Sequence, residues 1–242
     1  INSLSLMKNM RVKSILKYFK ITKPLYISTI SDIPANTGLG SSSAFTVGLI
    51  KAILVLKNKK MSREKIADLA FKIEHSLKED LGKQDQFISS LGGIRHLIYK
   101  KHSTEIKNNS ILKNQIEKIL KNSFLIYTGQ KRQSKNILKK QKKNFKKNFY
   151  NLVQLKNNVD KFINLLKKNK DIKSIGYLFD NSWKLKIKLS DNVSNTKINK
   201  LYDNLLNNGC YGGKLLGAGN GGFIFMIINN KSKKKILNKF KN

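Results

Sequence analysis

The sequence predicts an α+β protein, and three observations carry that prediction. Apolar residues recur at helical spacing over several stretches, as at Ile66, Leu69, Ala70, Ile73 and Leu77. Short runs rich in β-formers, such as Leu25–Ile30 and Phe223–Ile228, interrupt them in irregular order. Two glycine-rich loops, around residues 38 and 219, border such runs. A chain of 242 residues is long enough to bury a real core, as one large domain or two small ones.

Taken in order, Leu4 to Phe19 places Leu4, Met7, Val12, Ile15, Leu16 and Phe19 at helical intervals, and Pro24 ends the pattern. Leu25–Ile30 reads as a strand. A proline, glycine and serine loop follows, and from about Ser42 the residues Phe45, Leu49, Ala52, Ile53 and Leu56 predict a helix. Ser62 is the expected N-cap of a helix to Leu77, with Glu64 in its first turn. Gly82–Gln86 opens a short helix that Gly92 and Gly93 stop, and Ile94–Lys100 alternates as a strand does. Phe124–Tyr127 is a further strand. Lys131 to Lys170 reads as one long lysine-clad helix with a single apolar seam of Phe145, Phe149, Leu152, Val159, Phe162 and Leu166. Helix is expected again to about Leu189 and from Thr196 to Leu206, then a glycine cluster, the strand Phe223–Ile228 and a terminal helix. No internal repeat is found.

The net charge of +35 points at first to nucleic acid or an anionic membrane. Yet Arg11, Arg63, Arg95 and Arg132 are the only arginines among 49 basic residues, whereas phosphate-clamping and base-reading proteins lean on arginine. Abundant lysine, asparagine and isoleucine fit codon drift in an AT-rich genome better, so no specific nucleic acid is expected as a partner. The lone Cys210 excludes a disulfide framework and a CxxC metal site. No apolar run approaches the ~18 residues that span a bilayer, and no secretory signal opens the chain, so no membrane partner and a cytoplasmic location are expected. The chain starts at Ile1, which reads as an N-terminally incomplete protein.

The stretch SDIPANTGLGSSSA, residues 31–44, sets glycines and three serines between a strand-like and a helix-like run. Glycine lets backbone approach a ligand closely, and a helix start offers unpaired N–H groups and a positive dipole end, which suit phosphate. Ser41 or Ser42 could instead simply cap the helix, but capping needs one serine and this loop has three. It is no Walker A loop, since serine stands where that motif needs lysine. Gly217, Gly219 and Gly222 satisfy a bare GxGxxG, but they precede a strand rather than a helix, with no room for a βαβ unit. A tight glycine turn lying against another loop or a phosphate is the better account.

The stretches SDIPANTGLGSSSAFTVGL, IEHSLKEDLGKQDQF followed by GGI, YTGQKRQSKNIL, NSWKLKIKLSDNVSN and GGKLLGAGNGGFIFM run in order from residue 31 to residue 226. Together they resemble the GHMP-superfamily sugar kinases, and within them the D-glycero-D-manno-heptose 7-phosphate kinase group. The resemblance implies a two-part GHMP kinase fold, with a nucleotide-binding N-terminal half over residues 1–120 and a C-terminal α+β half over 121–242. It implies transfer of the γ-phosphate of ATP to the anomeric hydroxyl of the heptose 7-phosphate. The resemblance implies that the initial strand segment of that family would lie before Ile1, and Asn220 stands where glycine is frequent.

Residue by residue, the resemblance implies an ATP-phosphate loop of Gly38, Leu39, Gly40, Ser41, Ser42 and Ser43, with Gly217, Gly219 and Gly221 closing beside it. Mg²⁺ would be held by Ser42 and Glu74. Glu74 follows Ile73 of the apolar stripe, at the edge of the buried face, where a plain solvated glutamate is the alternative. Asp85 of KQDQ would be the base, or else would merely compensate the dipole of a short helix, and Lys83 could steady nearby negative charge. Lys131 and Arg132 would hold the phosphate of the substrate. The implied partners are ATP, Mg²⁺ and a sugar phosphate, with a homodimer left open. A fucose- or galactose-type GHMP kinase and a lysine-rich nucleic-acid-binding protein are the alternatives.

Overall fold

A computed structural model describes residues 6–34, 37–77, 81–107, 112–130 and 134–240 of the chain. Two compact units emerge, Ile1–Ala35 with Gly40–Asn108, and Asn36–Leu39 with Asn109–Asn242. The class is α+β, as the sequence predicts.

The first unit holds helices α1 (Met10–Tyr18), α2 (Ser41–Leu56), α3 (Arg63–Ser76) and α4 (Gln84–Leu91), and the antiparallel hairpin β1 (His96–Tyr99) and β2 (Thr104–Lys107). Helix α1 starts six residues later than the apolar spacing predicts, because the Asn9 side chain accepts from Val12 N and caps it there; Leu4 lies outside the described residues. Val12, Ile15 and Leu16 of α1 meet Val47, Ile50 and Ile53 of α2 and Ile66, Leu69 and Ile73 of α3 in one core. Ser62 caps α3 through Lys65 N, and Gly92 ends α4 at positive φ, both as expected. Phe87 and Leu91 of α4 then pack under Leu97 and Ile106 of the hairpin.

Leu25–Ile30 forms no ladder among the described residues, contrary to the predicted strand. Tyr26 is 93% and Ile30 95% exposed. β-Propensity expresses fit to a pleated, half-buried surface, and without paired neighbours this apolar run gains nothing from it.

The second unit is built on an antiparallel sheet of order β3 (Ser123–Tyr127), β5 (Phe223–Ile228), β4 (Cys210–Leu215). Helices α5 (Leu112–Lys121), α6 (Ser134–Lys143), α7 (Phe149–Lys167), α8 (Ile172–Ile187), α9 (Thr196–Asn207) and α10 (Asn230–Lys239) surround it. The expected division after residue 120 falls at the end of α5, a helix that clusters with this unit. Strand β5 is covered on both faces: Ile224, Met226 and Ile228 join Trp183, Ile198, Tyr202 and Leu205, while Phe225 and Ile227 join Ile116, Leu166 and Ile175. That explains its unbroken apolar run.

The predicted single helix over 131–170 is two helices, α6 and α7. Between them Asn148 is buried and donates through Nδ2 to Leu189 O (2.9 Å), which pins the chain at the break. The expected seam is therefore apolar packing only toward Phe162 and Leu166; Phe145 and Phe149 are more than half exposed and stack edge-on against each other. Strand β4 hides in the glycine cluster because Gly212 and Gly213 lie under α8 and β5: a Cβ on Gly212 would strike Gly176 O, and one on Gly213 would strike Phe225 O. No helix among the described residues is long and apolar enough to cross a membrane.

Two outcomes follow from this packing. Gly176→Ala sets a methyl into Tyr211 of β4 and is expected to cost about 1–3 kcal/mol, as overpacking of a filled contact does, read as a lower urea midpoint at unchanged m. Burial pushes the Cys210 thiol up to about 12, so it stays neutral across the neutral range; alkylation at pH 8 is expected only once urea unfolds the chain.

Candidate functional site

Of the described residues singled out from the sequence, Gly40, Ser41, Ser42, Ser43, Glu74, Lys83 and Asp85 belong to the first unit, and Gly38, Leu39, Gly217, Gly219 and Gly221 to the second. In the first unit α2 begins at Ser41, and its cap is Gly40 at φ +74, not a serine. The three serines are thus the first helical residues, and Gly40 brings no side chain to compete for their N–H groups. The left-handed conformation at this corner favours glycine, and Asp85 lies beside it. A Cβ on Gly40 would stand 3.5 Å from Asp85 Cγ and 3.8 Å from its Oδ1. The first turn of α4 therefore presents Asp85 directly to the corner where the loop becomes helix.

What holds that arrangement is Glu74. It is 1% exposed, deeper than the edge position its place in the stripe suggests. Ser43 Oγ donates to its Oε2 (3.0 Å), Thr46 Oγ1 to its Oε1 (2.6 Å) and Gln86 Nε2 again to Oε2, while Arg11 Nε stands 3.9 Å from Oε1. The carboxylate thereby joins α1, α2, α3 and α4. The serine hydroxyl on it belongs to Ser43, whereas Ser42 is exposed. Carboxylate, hydroxyl and amide oxygens are the kind of donor Mg²⁺ takes, and Gln86 Oε1 is buried beside Glu74 without a hydrogen-bond partner, so the donor chemistry suits that ion. Among the described residues no cluster of three or more His, Cys, Asp or Glu is assembled.

Lys83 caps α4 by position, and its ammonium lies 3.8 Å from Asp68 Oδ1 and 5.1 Å above the Phe71 ring. Near Asp85, the Tyr99 phenol is pushed up to about 12 by burial first and the Asp85 charge second, and so stays protonated.

The second unit carries the turn Leu216–Gly222 between β4 and β5. Gly219, Asn220, Gly221 and Gly222 all have positive φ, and asparagine accepts the left-handed conformation at φ +58 more readily than other side chains do. The turn packs against Thr37, at the start of the Thr37–Leu39 segment: Phe223 N donates to Thr37 O (3.2 Å), and any Cβ on Gly222 would collide with that carbonyl. The expected contact between a tight glycine turn and another loop is found here. Gly219 is equally closed in, 2.6 Å between a would-be Cβ and Val193 O. Lys131 and Arg132 lie outside the described residues. Spacing gave no signal for Arg11, Thr46 or Gln86, whose partner Glu74 is far along the chain or on another helix.

Two family models match: the GHMP kinases N terminal domain over residues 7–93 and the GHMP kinases C terminal domain over 158–242. The chain belongs to the GHMP kinase family. It is 33% identical over 224 residues to the D-glycero-alpha-D-manno-heptose 7-phosphate kinase of Campylobacter jejuni, covering 89% of this chain and 65% of that protein. To the mevalonate kinase of Methanocaldococcus jannaschii it is 32% identical, over 93% of this chain and 69% of that protein. A solved mevalonate kinase superposes with a TM-score of 0.72 at 27% identity, over 99% of this chain and 74% of the other. This GHMP kinase chain thus spans about two thirds of the length of the curated relatives it matches.

Removing the buried carboxylate leaves Ser43, Thr46 and Gln86 without their common acceptor and takes away the negative charge beside Arg11. Glu74→Ala is expected to lower the stability of the chain by about 3–5 kcal/mol, and Glu74→Gln by less, measured by urea denaturation.

Proposed function

We propose that the chain carries the phosphoryl-transfer residues of an ATP-dependent kinase whose acceptor is the anomeric hydroxyl of D-glycero-D-manno-heptose 7-phosphate. The observation that carries this reading is the 33% identity to the Campylobacter heptose 7-phosphate kinase over 89% of this chain. The acceptor oxygen forms a bond to the γ-phosphorus as the bond from that phosphorus to the bridging oxygen breaks. ADP leaves with the electron pair, the acceptor proton passes to Asp85, and the product is the 1,7-bisphosphate.

The residues divide this work by their chemistry. The N–H groups that open α2, with Gly38, Leu39, Gly40, Ser41, Ser42 and Ser43, hold the nucleotide phosphates at the positive end of a helix dipole. Asp85, set against Gly40, receives or steadies the proton of the attacking hydroxyl, and Lys83 at the cap of the same helix steadies negative charge. The turn with Gly217, Gly219 and Gly221 offers further backbone N–H groups to the phosphates. Lys131 and Arg132 take the phosphate that the acceptor already carries. Mg²⁺ would be held by Ser42, exposed at the start of α2, and by Glu74, whose own serine partner is Ser43, and when bound it would neutralise charge on the phosphate oxygens. With ATP as the donor, the cytoplasm is the compartment we assign.

The 32% identity to a mevalonate kinase favours one second reading, a smaller alcohol acceptor of that type. Phosphorus NMR of the chain with ATP, Mg²⁺ and each acceptor separates the two. A new signal coupled to the anomeric proton of the heptose phosphate is expected; transfer to mevalonate alone supports the second reading, and transfer to neither overturns both. In the active reaction Asp85→Asn is expected to lower kcat by roughly 10²–10⁴-fold while ATP binding stays as in the parent chain, by steady-state kinetics and calorimetry.

A further inference from the structure

Helix α8 ends in a run of lysines, and they do different things. Lys184 pairs with Asp180 at 2.7 Å and is 65% exposed at its side chain, and Lys188 is exposed. Lys186 is part-buried and turns inward: its Nζ donates to Leu215 O (3.1 Å) and Gly217 O (2.5 Å), the two carbonyls that flank the entry of the chain into the glycine turn. The ammonium also lies 5.9 Å above the ring of Trp183, which is buried in the core of this unit. The exit arm is held separately. Asn195, which caps α9 through Ile198 N, donates from Nδ2 to Asn220 Oδ1 (2.9 Å) and Gln130 Oε1 (2.8 Å). Val193 O accepts from Asn220 N (2.8 Å) and Gln130 O from Gly222 N (2.8 Å).

We propose that Lys186 is a positioning residue for the phosphate-facing glycine turn: it draws the carbonyls of Leu215 and Gly217 toward α8 and so leaves the turn to present N–H groups. The proposal rests on the reading that this turn meets nucleotide phosphate. A carbonyl aimed at an anion repels it, and in a turn of residues at positive φ nothing in the local backbone alone prevents that orientation. A lysine that satisfies two carbonyls at once removes the wrong face of the peptide and adds a positive charge near the mouth of the turn.

The test uses the whole chain with Lys186→Met, which keeps the apolar stem, Lys186→Arg, which restores a donor and charge, and Lys188→Met as the exposed control. Hydrogen exchange by mass spectrometry reads the peptide over 215–222, and calorimetry with Mg²⁺ and ATP reads nucleotide binding. Lys186→Met is expected to speed exchange in that peptide about tenfold and weaken ATP binding by a similar factor, as loss of charge-assisted hydrogen bonds does. Lys186→Arg should recover most of both, and Lys188→Met should match the parent. Unchanged exchange in Lys186→Met, or acceleration spread over the whole second unit, overturns the proposal. If the parent chain binds no ATP, the kinase reading fails, and the exchange comparison still decides whether Lys186 orders the turn.

Discussion

The first unit depends on a single negative charge placed where charges are expensive. Glu74 is nearly fully buried, and burying a carboxylate is tolerable only when its oxygens are satisfied. Here Ser43, Thr46 and Gln86 satisfy it from two other helices, with the Arg11 guanidinium near Oε1. Each donor also fixes something the proposed chemistry uses. Ser43 and Thr46 belong to the first turns of α2, whose opening N–H groups make the phosphate site, and Gln86 is the neighbour of Asp85. A buried ion network is weak as a source of net stability, but it is strict about geometry, since any slip leaves an uncompensated charge.

The second unit reaches a comparable result chiefly through its backbone. Strands β4 and β5 approach α8 and each other so closely that Gly176, Gly212 and Gly213 leave no room for a Cβ, and the turn joining the strands is as tightly enclosed by Thr37 and Val193. The missing side chains let peptide groups meet peptide groups. Lys186 and Asn195 then supply from the helices the polar contacts that such a bare turn cannot supply for itself.

How much of this was legible depended on whether the determining contact is local. Ser62 capping α3, Gly92 stopping α4 and the loop ending in Gly40 are decided within a few residues, and their spacing displayed them. The binary pattern also found the core stripe of α3 but could only set Glu74 at its edge, because its partners Ser43, Thr46 and Gln86 lie on other helices. Asn148 broke an apparently continuous lysine-rich helix by bonding Leu189, more than forty residues away. Gly212 and Gly213 looked like loop because strand residues without side chains carry no periodicity. Leu25–Ile30 shows the converse: strong propensity without a paired neighbour makes no strand among the described residues.

If Glu74 is the shared acceptor that ties the phosphate loop to the helix of Asp85, its donors must be energetically coupled. The direct measurement is a double-mutant cycle of Ser43→Ala and Gln86→Leu, with urea unfolding of all four chains. A coupling energy of about 1 kcal/mol or more is predicted, as for residues in one network. Additivity to within about 0.3 kcal/mol would contradict it, since independent sites behave that way.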